Sequence, residues 1–134
     1  MSAATTQFPT ATILAYPRIG RGRELKRALE ARWAGRITEA ELIQAANDLR
    51  KENLARLVEL GLNPSDASLA DAPSLYDHVL DATILLGAIP PRFAGRQGLD
   101  LYFALARGDD EVGPEEMTKW FDTNYHYLVP EIGP

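Results

Sequence analysis

YPRIGRGRELK, residues 16–26, joins an apolar run to a helix that opens with alternating charge, and the rest of the chain is read outward from it. Just upstream, ATILAY (11–16) is short, apolar and stopped by Pro17, which predicts a strand buried on both faces, as in a parallel sheet. Downstream, Gly20 and Gly22 loosen the connection. Leu25, Ala28, Leu29 and Trp33 then recur at helical spacing, a single apolar stripe on a helix beginning at Arg23. Arg23, Lys26, Arg27 and Glu30 share the opposite face. Seven of the 14 Lys and Arg residues lie between Arg18 and Arg36 against two acids, so this segment is +5 in a chain of −5. A cationic patch kept inside an acidic chain points to an anionic partner. Two cations one turn apart, where the free N–H groups of a helix start also favour negative charge, suit a carboxylate or phosphate. A solvated face is the ordinary fate of an Arg-rich helix. Its position directly after a strand, where α/β folds bind their ligands, favours a site instead.

The 134 residues could form one domain, and 46% hydrophobic with 25% charged residues is an ordinary globular composition. The absence of cysteine rules out disulfides and thiolate metal sites, and the cytoplasm is the default compartment. Residues 1–12 lack the pattern of a signal peptide, and the longest apolar run, Thr83 to Pro91, is too short to span a bilayer, so no membrane is expected. The acidic balance argues against nucleic acid, which calls for a continuous basic stripe.

Residues 1–10 read as a flexible leader. After the first helix, Thr38 and Glu41 form a capping box flanked by Ile37 and Leu42, opening a long helix from Glu39 to Leu60 with Gly61 as its cap. Its expected buried set is Leu42, Ala45, Ala46, Leu49, Leu54, Leu57, Val58 and Leu60. A weak second strand is expected at Asp66 to Ala70, then a helix from Leu75 to Leu86. On that helix Asp77 and Asp81 could offer two oxygens to a cation, but without a third ligand the pair reads as surface-facing or helix-starting, and His78 as structural. Pro90 to Gly98 is a loop, Leu99 to Arg107 an amphipathic helix capped by Gly108, and Asp109 to Pro114 an acidic loop. Glu115 to Phe121 reads as a short helix and His126 to Val129 as a third strand.

The strings YPRIGRGRELKRALEARWAG, YDHVLDATILLGAIPPRF and EMTKWFDTNYHYLVPEIGP, in that order and spacing, resemble the beginning of cobalamin-independent methionine synthase over nearly all of residues 12–134. The resemblance implies an α/β fold over residues 11–134. It would be the opening part, about three β/α units, of an N-terminal TIM-type (β/α)8 barrel, helix-rich and incomplete as it stands. It also implies a parent of two barrels that moves a methyl group from 5-methyltetrahydropteroyl-polyglutamate to homocysteine, forming methionine. Zinc, with its His, Cys and Glu ligands, is implied for the C-terminal barrel, which would be this chain's partner. By motif match, the implied folate contacts are Arg23, Glu24, Leu25 and Lys26 in RELK and Lys119 in EMTKW, with no catalytic or metal residue in this chain. The charge pattern by itself singles out Arg23 and Lys26, whereas Lys119 comes from the match alone. Leu25 belongs to the core stripe, so its contact is expected through the backbone.

A (β/α)8 barrel needs about 250 residues. The chain alone is therefore expected to be inactive, and to self-associate or derive from a longer protein. The alternative function is a non-catalytic module binding polyglutamate or another polyanion.

Overall fold

The computed structural model describes residues 12–13, 16–65 and 74–132, and the chain divides into two compact units, Met1–Pro73 and Ser74–Pro134. The architecture mixes helices with a small two-stranded sheet. Of the first predicted strand, Thr12, Ile13 and Tyr16 carry no regular secondary structure and the remainder lies outside the described residues, as does the second strand, Asp66 to Ala70. Among the described residues, no helix is long and apolar enough to cross a membrane.

The first unit is a helical hairpin, α1 (Glu24–Trp33) packed on α2 (Glu39–Glu59). The expected stripe forms its interface, with Leu25 and Leu29 buried from α1 and Leu42 and Leu49 from α2; Leu57, further along α2, is buried as well. Val58 and Leu60, expected in the core, are exposed: Val58 lies off that stripe, and Leu60, although in register with it, is the C-cap beyond the last helical residue. The capping box is present: Glu41 N–H donates to the Thr38 hydroxyl (3.2 Å) and Thr38 N–H to the Glu41 carboxylate (2.7 Å), which holds that carboxyl below its ordinary range. α1 ends with Arg36 N–H on the Ala31 carbonyl (2.9 Å) and Gly35 N–H on that of Arg32 (3.0 Å), the left-handed glycine cap that turns the chain back into α2.

The second unit contains α3 (His78–Leu85), a 3-10 turn (Pro91–Phe93), α4 (Gly98–Arg107), and the strands β1 (Met117–Lys119) and β2 (His126–Leu128). Its core gathers Leu80, Phe93, Tyr102, Ala104, Leu105, Ala106 and Leu128. The third predicted strand is β2. The predicted helix over Glu115 to Phe121 is a correction: that segment holds β1, paired antiparallel with β2 in the register Met117 to Leu128, Thr118 to Tyr127 and Lys119 to His126. Cross-strand hydrogen bonds outweigh local helix propensity there, and the hairpin closes through Trp120–Asn124 with Phe121 at φ 50°. α3 also starts later than Leu75, because Asp77 is its N-cap.

Candidate functional site

In the first unit, the loop before α1 is shaped by Glu24. Its two carboxylate oxygens accept the Gly22 N–H at 3.0 Å each, and a Cβ on Gly20 or Gly22 would overlap that carboxylate, so both glycines are needed for the approach. Arg23 N–H bonds the Gly20 carbonyl at 3.1 Å, and Arg23 itself is left-handed (φ 61°, ψ 37°). A long side chain costs free energy in that conformation, and such strain gathers at functional sites.

The four RELK positions therefore divide. Leu25 is only 2% exposed and faces α2, and Glu24 is committed to its own loop. Arg23 and Lys26 are exposed; Lys26 pairs loosely with Glu30 (3.8 Å), while no carboxylate pairs with Arg23 among the described residues. Beside this loop lies an open cleft of about 210 Å³ whose lining includes Arg21, Glu24, Glu52 and Arg56, so it carries both signs of charge. Arg56 is already engaged by Glu59 at 3.0 Å.

Lys119 belongs to the second unit, on β1 rather than a helix, and is exposed. Its hairpin is tied down by Asp77, a residue only 3% exposed. Asp77 Oδ2 accepts the Leu80 N–H, capping α3, and the Leu128 N–H on β2, both at 3.1 Å, while Oδ1 accepts the Tyr125 hydroxyl at 2.6 Å. Asp81, its neighbour one turn on, accepts the Tyr102 hydroxyl at 2.7 Å. Burial pushes that phenol up to about 12, and the same oxygen accepts the Tyr76 N–H. The helix-starting reading of Asp77 thus holds, with a burial and a tie to the hairpin that local sequence did not reveal. His78 is exposed and 3.7 Å from Asp81. Among the described residues, no three His, Asp or Glu side chains are arranged to hold a metal.

Two residues of the second unit escaped the sequence reading. Glu115 is 2% exposed and neither carboxyl oxygen has a partner in hydrogen-bond geometry; burial and the nearby Glu131 carboxylate push it above its ordinary range. The other is His126, opposite Lys119 in the ladder. Alternation along the strand would have found it, had the hairpin been recognised.

Residues 10–134 match the family described as "Cobalamin-independent synthase, N-terminal domain". Proteins named 5-methyltetrahydropteroyltriglutamate–homocysteine methyltransferase are similar to this chain: that of Mycobacterium bovis is 56% identical over 126 residues, covering 93% of this chain. The Rhodococcus jostii protein is 55% identical over 126 residues (93% of this chain), and that of Streptomyces coelicolor 54% over 127 residues (92% of this chain). The chain spans 16% of the length of each of these relatives. It belongs to the cobalamin-independent synthase family, as a match to the N-terminal domain.

Proposed function

We propose that this chain is the N-terminal folate-binding part of a methyltransferase that moves a methyl group from 5-methyltetrahydropteroyl-polyglutamate to homocysteine, giving methionine. The observation that carries this is the match over residues 10–134, with relatives whose names specify the triglutamate donor and homocysteine. On this reading residues 11–134 are the opening of a (β/α)8 barrel, and the remainder of the parent is the partner. Cytoplasmic location follows from the same reading.

Arg23 and Lys26 are the tail-binding cations of the first unit and Lys119 that of the second. A guanidinium pairs with a carboxylate in a planar fork, and a lysine supplies a movable point charge, so each of these residues suits the acid groups that such a tail presents. Glu24 acts indirectly by fixing the loop that presents Arg23, and Leu25 does so by anchoring α1 with its buried side chain, since the backbone N–H expected to meet the ligand is already donated to the Ile19 carbonyl at 3.1 Å. In the transfer, the homocysteine sulfur bonds to the methyl carbon as the carbon–nitrogen bond breaks, and the folate nitrogen takes up a proton. Residues of this chain would act remotely on that step, converting the binding of the tail into orientation of the methyl group. Zinc does not fit the side chains present: the chain has no cysteine, and the described residues hold no suitable cluster, so no metal step is assigned here. The 134-residue chain alone should accordingly show no methyl transfer.

The test is a titration with triglutamated and monoglutamated methyl-folate. The triglutamate should bind more tightly, by a margin that widens at low salt. Arg23→Ala or Lys26→Ala should weaken it about tenfold, the equivalent of about 1.4 kcal/mol, with much less effect on the monoglutamate. Equal affinity for the two donors would remove the tail-binding role.

A further inference from the structure

We propose that His126 and Lys119 together form a carboxylate-binding pair on the hairpin face, with His126 making binding there dependent on pH. That the occupant is a glutamyl carboxylate rests on the methyltransferase reading above.

The ladder itself brings the two together. Trp120 N–H bonds the Tyr125 carbonyl and Val129 N–H that of Glu116, both at 2.8 Å, which places hydrogen-bonded pairs at 120 with 125 and 116 with 129. Lys119 and His126 therefore occupy a non-hydrogen-bonded pair, the closer kind, with α-carbons about 4.5 Å apart and side chains on one face. Both are exposed, and no carboxylate pairs with either among the described residues, although Glu116 and Asp122 belong to the same hairpin. On α3, the helix packed against β2, the carboxylates are already occupied: Asp77 by three donors and Asp81 by the Tyr102 hydroxyl, with His78 beside it.

Two details make this more than a chance neighbourhood. His126 Nδ1 lies 3.1 Å from the Asn124 carbonyl; a carbonyl only accepts, so Nδ1 carries a hydrogen and Nε2 is left to meet a ligand. The strand on which His126 sits is also pinned on both sides of it to one buried carboxylate, through the Tyr125 hydroxyl and the Leu128 N–H. Cations placed directly opposite each other in a sheet repel, and a bound carboxylate reverses that by attracting both. Ligand binding should therefore draw a proton onto the imidazole.

The chain has two histidines, His78 and His126, so their ring-proton NMR signals can be followed individually from about pH 5 to 9, a range that brackets the ordinary histidine value, with and without tri-γ-glutamate at low salt. The expected result is an upward move of the His126 midpoint on adding the peptide, with His78 unmoved, and an affinity that falls several-fold from about pH 6 to 8. His126→Gln should keep the affinity seen at the alkaline end and lose the gain at the acid end, whereas His126→Lys should bind tightly across the range. An unchanged His126 midpoint, or a pH dependence that survives His126→Gln, overturns the pair. The donor reading fails separately: if the peptide moves His126 while triglutamated and monoglutamated folate bind alike, the pair stands without it.

Discussion

Replacing Glu115 with leucine should stabilise the second unit. The residue is 2% exposed and no donor meets its carboxyl in good hydrogen-bond geometry: the Glu131 backbone N–H offsets burial only in part, and the cation beside it, Arg92, is committed to the Glu131 carboxylate through both guanidinium nitrogens. An unsatisfied buried polar group costs about 1–3 kcal/mol, and the remaining attraction to Arg92 places the gain from leucine toward the lower half of that range. For a unit of this size each 1 kcal/mol is worth about 4–8 °C in Tm. The pH dependence has a defined sign. A carboxyl whose pKa is raised by folding binds its proton more tightly in the native state, so stability falls as pH rises from the unfolded value through the folded one. Glu41, Asp109 and Glu131, held down by their partners, act oppositely: their contribution is present above the unfolded value and lost as pH falls through the folded one. Comparison of wild type with Glu115→Gln cancels the Glu41 and Asp109 terms and isolates position 115 together with its repulsion from Glu131. The assay is urea unfolding from about pH 3.5 to 8, spanning the carboxylate range, in a Trp33→Phe background, where Trp120 is the sole tryptophan and reports the second unit. Glu115→Leu should gain stability at neutral pH and gain less at the acid end, where the acid is neutral in both states. A loss at neutral pH would mean that Glu115 is paired and the reasoning is wrong.

Gly108→Ala should cost about 1–3 kcal/mol or more in the same assay, since φ 66° with ψ −175° is a glycine conformation, and a Cβ there would lie 2.7 Å from the Val112 carbonyl oxygen. Asp77→Asn can no longer accept all three donors and should lose about 2–4 kcal/mol, whereas Tyr125→Phe, which removes one of them, should lose about 1 kcal/mol. Arg23→Gly should relieve the left-handed strain and stabilise the first unit by about 0.5–1 kcal/mol while weakening triglutamate binding in the same titration. Stability and affinity moving down together would show that Arg23 is held by contacts rather than by the loop.

The helical hairpin was legible because its signals are local. The stripe through Leu25 and Leu29, the box at Thr38 and Glu41, and the glycines at positions 35 and 61 each act within a turn or two of their own position. The β-hairpin was only half legible: β2 was expected, but the turn places Phe121 rather than a glycine or asparagine in the left-handed region, and Asp122, Thr123 and Asn124 read equally well as a loop following a helix. EEMTKW consequently reads as helix. Asp77 illustrates the same limit for the site: its spacing to Asp81 was visible, but its partners Tyr125 and Leu128 lie about 50 positions further on. Charge clustering found Arg23 and Lys26, which lie close in sequence, and could not find Lys119 and His126, which only cross-strand pairing brings side by side.

Leu80 and Leu128 donate their amides to a single atom, Asp77 Oδ2. Withdrawal of that acceptor frees both hydrogens at once, so in deuterium exchange the two amides should open as one event despite lying on different elements. The unit then has a latch rather than a set of independent fastenings, and departure of the hairpin from α3 becomes an all-or-none motion.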